Sequence, residues 1–104
     1  MLGWWAVSDT AKYLHRHSLF EAADRIAAAR EFSLRLHAAA NQIPDPGYGL
    51  TSLLDHEPYE LPADLADTYC RPDDPAAVVV AAQAVAALLH ACATRAQATI
   101  GTDL

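Results

Sequence analysis

Two cysteines, four glycines and seven basic residues among 104 positions leave this sequence short of the parts from which most recognisable sites are built. Cys70 and Cys92 have neither metal-ligand spacing nor a C-x-x-C arrangement, so they read as ordinary thiols of a reducing cytoplasm, with a disulfide as the alternative. No glycine-rich phosphate loop and no nucleophile elbow is present, and the tract Asp55-His56-Glu57-Pro58 runs into a proline where a zinc-protease motif would need a helix. The one adjacent carboxylate pair, Asp73-Asp74, has the position of a helix start. His15 and His17 are two apart, and on a helix such residues point to different sides, which argues against a metal pair. The net charge of −6 argues against nucleic-acid binding, whose affinity comes largely from Lys and Arg neutralising phosphates. The N-terminal stretch lacks a basic leader, and its apolar run is too short for a signal peptide. Internal repeats, low-complexity tails and convincing strand patterns are also missing.

What remains is helical periodicity. Ser18 to Asn41 is the longest run in which charges and apolar residues sort onto two sides of a helix. Ala22, Ala23, Ile26, Ala27, Ala29, Leu34 and Leu36 form one stripe, while Glu21, Asp24, Arg25, Glu31 and Arg35 lie opposite. Glu21 with Arg25 and Glu31 with Arg35 are acid-before-base pairs at i,i+4. Ser18 and Glu21 have the spacing of a capping box, and Pro44 stops the helix beyond Asn41. Arg30 and His37, seven apart, lie on the edge of the apolar stripe, where a charge must be paired or face a cavity. Two readings follow: an arginine snorkelling beside a satisfied histidine, or a polar cleft between this helix and its neighbours.

The other segments are arranged around this helix. Trp4 to His17 reads as a first helix with Trp4, Val7, Ala11 and Leu14 in a/d spacing and Trp5 widening the stripe, packed as an αα-hairpin. Trp4 and Trp5 are either core residues or an anchor for a partner. Ile43 to Gly49 is a loop, with a lid as one use for it. Leu50–His56 and Pro62–Tyr69 read as short helices, the second with Leu61, Leu65 and Tyr69 on one face. Residues 45–74 hold eight acids against Arg71 alone, a solvated loop or a receptor for a cationic small molecule. Asp74-Pro75 opens a long alanine-rich helix to about Thr99, with Val78, Val85, Leu88, Leu89 and Cys92 as its larger core residues. Its length raises a membrane span, but its apolar character comes from near-neutral alanine, and Gln83, His90 and Gln97 repeat as a polar stripe, so a bundle helix or dimer interface fits better. The expected class is all-α: a single domain over 1–104, a four- to five-helix up-down bundle closed by the long C-terminal helix.

The pattern Trp4-Trp5-x8-Leu14, a polar turn, then Leu19-Phe20-Glu21-Ala22-Ala23-Asp24-Arg25-Ile26 leading into Ala29-Arg30-Glu31-Phe32 and Leu34-Arg35-Leu36, resembles the C-terminal helical domain of bacterial nucleotidyltransferases of the aminoglycoside and lincosamide adenylyltransferase type. Gly49-Leu50-Thr51-Ser52-Leu53-Leu54 and the closing alanine-rich helix are similar in order and spacing. That domain is in turn similar to HEPN bundles. The resemblance implies a substrate-binding or dimerisation domain, with Arg30, Glu31, Arg35 and His37 on the wall of an acceptor cleft and Trp4 and Trp5 at an interface. It implies as partner a second copy or a nucleotidyltransferase core. The sequence contains neither the Gly-Ser turn nor the Asp-x-Asp pair of those enzymes, so the chain would not transfer nucleotides alone; ATP and Mg2+ would belong to a core supplied elsewhere. A second reading takes Arg30-x6-His37 as the Arg/His pair of a HEPN ribonuclease, with the histidine as general acid or base. A third is a non-catalytic interaction module that dimerises through the alanine-rich helix or the tryptophans.

Overall fold

The computed structural model describes residues 2–43, 50–54, 61–62 and 64–100, and only the backbone at 2–4, 51–52 and 99–100. The described residues are all-helical. Three long helices, α1 (Leu2–His15), α2 (Leu19–Ala40) and α4 (Pro75–Ile100), are joined by a five-residue α3 (Leu50–Leu54) and a 3-10 turn, Leu65–Thr68. The expected four- to five-helix count is therefore too high. The middle segment, broken by proline at 58, 62 and 72, contributes short pieces rather than further bundle helices.

Both hairpin-side helix ends close on themselves. After α1, His17 adopts φ 60°, its N–H donates to the Leu14 carbonyl (3.1 Å), and the Ser18 N–H donates to the Tyr13 carbonyl (2.8 Å). After α2, Gln42 at φ 57° and the Ile43 N–H donating to the Ala38 carbonyl (3.0 Å) repeat this Schellman arrangement, with Ile43 packed on the cluster that contains Ala38. Pro44, expected to stop α2, lies outside the described residues. Ser18 does not cap α2 through its side chain; its hydroxyl donates instead to the Glu21 carboxylate at 2.6 Å. At α4 the cap is as expected, the Asp74 carboxylate accepting from the Ala77 N–H at 3.3 Å.

Two clusters make the core. Ala6, Ala22, Ile26, Ala29, Val78, Ala81 and Val85 form one; Leu34, Ala38, Leu53, Leu65, Leu88 and Cys92 form the other. The first halves of α2 and α4 meet in one and their second halves in the other, so these helices run in the same direction. Residues 41–74 carry the chain back between them, and the topology is not a simple up-down bundle. α2 packs against every other element. Ile26, Leu34, Leu53 and Leu89 are completely enclosed, each worth about 1.5–3 kcal/mol of apolar burial.

Helix α1 packs Val7 and Leu14 on the core as expected, but its enclosed positions are turned away from Trp5 and Ala11. Ala6 and Thr10 are buried, with Tyr13 and Leu14 partly so, while Ala11 is exposed and Trp5 is 66% exposed. Thr10 reaches the core because its hydroxyl donates to the Ala6 carbonyl at 2.8 Å, leaving its methyl group to pack. In α2, Ala27 is likewise exposed, and Ser33 takes a core place by donating to the Ala29 carbonyl at 2.8 Å. In the 3-10 turn the three-residue repeat aligns Leu65 with Thr68, both buried, while Tyr69 is exposed, and Leu61, Leu65 and Tyr69 line one hollow as their spacing predicts.

Candidate functional site

Arg30 projects from the middle of α2 toward the 3-10 turn. Its Nε donates to Thr68 Oγ1 and its Nη2 to the Thr68 carbonyl, both at 2.8 Å, and its guanidinium lies 3.7 Å from the centre of the Tyr69 ring. Thr68 Oγ1 in turn donates to the Leu65 carbonyl at 2.7 Å. The guanidinium thus spans hydroxyl, carbonyl and ring at once and fastens the middle segment to α2. This is a clamp, and it occupies the group that a substrate cleft would need.

His37 is buried, 4% exposed, among the residues that face the second core cluster. Asn41 Nδ2 donates to the His37 carbonyl at 2.8 Å and sits 3.4 Å from Nε2. Seven residues along a helix separate Arg30 from His37 by about 10 Å, with the clamp at one end and the helix terminus at the other. Glu31 and Arg35 form the expected pair, 3.4 Å apart on the surface. They edge a hollow of about 250 Å³ shared with Ala6, Ala28 and Phe32. The structure therefore separates the four residues into a clamp, a surface ion pair and a buried histidine, and does not gather them around one cleft. Glu21 and Arg25 show no ion pair among the described residues. Trp5 is exposed, as is Phe20 at 67%; the side chain of Trp4 lies outside the described residues.

Half of the acidic middle, Asp45, Asp55, Glu57 and Glu60, also lies outside the described residues, with the 44–49 part of the loop read as a lid. Asp64, Asp67, Asp73 and Asp74 are exposed, and Asp73 pairs with Arg71 at 3.0 Å. Among the described residues no group of three or more His, Cys, Asp or Glu side chains could hold a metal ion. Both cysteines are free thiols. Burial pushes the Cys92 thiol above the usual thiol range, and Arg95, whose Nη2 lies 3.7 Å from the sulfur, pulls it partly back.

Surface concavities among the described residues include one of about 520 Å³ lined by Leu61, Pro62, Leu65, Ala66 and Tyr69, and two along α4. One of about 770 Å³ is formed between the start of α4 and the 3-10 turn, with Tyr69, Ala77, Val80 and Ala84 as apolar lining and Asp67 and Asp74 at its edge. A second, about 470 Å³, runs beside Leu88, Ala91 and Arg95 against Pro62 and Asp64. Ala77, Val80, Ala84, Leu88, Ala91 and Arg95 recur at three- and four-residue steps, so the two hollows lie on one stripe of the same helix. Arg95 is the only formally charged residue of α4. Pro75–Ala98 is long and apolar enough to cross a membrane by length and composition, with 33% of the span buried in the protein. The sequence offered this helix as a bundle or interface helix, and the lack of charge between Pro75 and Thr94 was the signal for its exposed side.

No protein family, curated protein or solved structure matches the chain. Functional inference therefore rests on the geometry.

Proposed function

We propose that the chain is a non-catalytic helical interaction module that holds a partner protein on the exposed side of α4. The observation that carries this reading is the contrast within one helix. Its inner side is closed by Val78, Val85, Leu89 and Cys92, while its outer side leaves Val79 42% and Val80 60% exposed in a stretch without a formal charge until Arg95. Exposed Ala76, Val79, Val80, Ala87 and Ala91, interrupted by Gln83 and His90, give an uncharged surface of small side chains of the kind that a partner helix covers in a groove. The transferase-domain and ribonuclease readings both require Arg30 to be available to a substrate, whereas its donors and its ring contact are directed at Thr68 and Tyr69. The test is a photoreactive amino acid at Val80 in the full chain, irradiated in its native cells, with one at exposed Glu21 as control. A discrete protein adduct from position 80 and none from position 21 is expected; equal labelling, or none from 80, overturns the reading.

A further inference from the structure

We draw no further inference here: the strongest candidate, the exposed side of α4 with the hollow that Asp67 and Tyr69 of the 3-10 turn close at its N-terminal end, carries nothing beyond the reading above, because nothing in the structure shows what covers it.

Discussion

Helices α2 and α4 bury similar inner faces and run the same way, yet their outer faces are built on opposite lines. The outside of α2 carries Glu21, Asp24, Arg25, Glu31 and Arg35, whereas the outside of α4 carries Ala76, Val79, Val80, Gln83 and Ala87 in its first half, with His90, Thr94 and Arg95 following. A charged outer face is stable in water with nothing on it. A face with so few charges is what the proposed interaction module would use to hold a partner. The more hydrophobic helix by composition is thus not the most enclosed one; α2, with the charges, contacts every other element.

This contrast can be tested by substitution, starting with the core. Leu34→Ala, on the inner side of α2, is expected to lower unfolding free energy by about 3 kcal/mol in urea, while Val80→Ala on the outer side of α4 changes the dilute monomer by less than about 0.5 kcal/mol. Equal losses would show that α4 is covered within the monomer after all. Arg30→Ala should cost about 2 kcal/mol by releasing two hydrogen bonds and the ring contact. Arg30→Lys should not restore it, because a point charge cannot bridge the Thr68 hydroxyl, the Thr68 carbonyl and Tyr69 together. Amide exchange faster at 65–69 than in α2 is the accompanying readout. Gln42→Gly is expected to stabilise by about 0.5–1 kcal/mol, seen as a raised Tm, by relieving a side chain at φ 57° where α2 ends. Glu31→Gln should shift stability by about 0.3 kcal/mol, vanishing at high salt, because its ion pair is exposed.

The inner side of α4 gives a pH-dependent counterpart. The Cys92 thiol is held above its unfolded value by burial, so its contribution to stability is complete below the unfolded thiol value and is lost as pH rises through the folded one. Chemical denaturation at rising alkaline pH should show that decline in the parent and less of it in Cys92→Ala. Iodoacetamide at mildly alkaline pH should modify half-buried Cys70 ahead of Cys92.

How much of this was legible in the sequence varies by segment. Helices α2 and α4 were readable within a residue or two, because a long amphipathic period and an Asp-Pro cap act locally. The face of α1 was legible in part: Val7 and Leu14 pack on the core as their spacing predicts, but close approach to an alanine-rich neighbour selects Ala6 and a self-satisfied Thr10 in place of Trp5 and Ala11. The role of Arg30 was half legible. Its position at the rim of the stripe demanded a partner, but the partner is 38 residues away in a segment whose 3-10 geometry has no sequence period of its own. Among the described residues, the proposed polar cleft resolved into separate contacts for the same reason: shared helix spacing brings residues to one side without making them converge.

The Arg30 to Thr68 clamp bears on the order of folding. The α1–α2 hairpin closes over a few residues, whereas the clamp must first close a loop of 38, at an entropic cost of about 3 kcal/mol before any contact compensates it. The middle segment is therefore expected to join last and to leave first, so that Arg30→Ala speeds unfolding and leaves the folding rate nearly unchanged. Since that segment forms one wall of the larger hollow on α4, the surface proposed to hold a partner would be assembled only in the final step of folding.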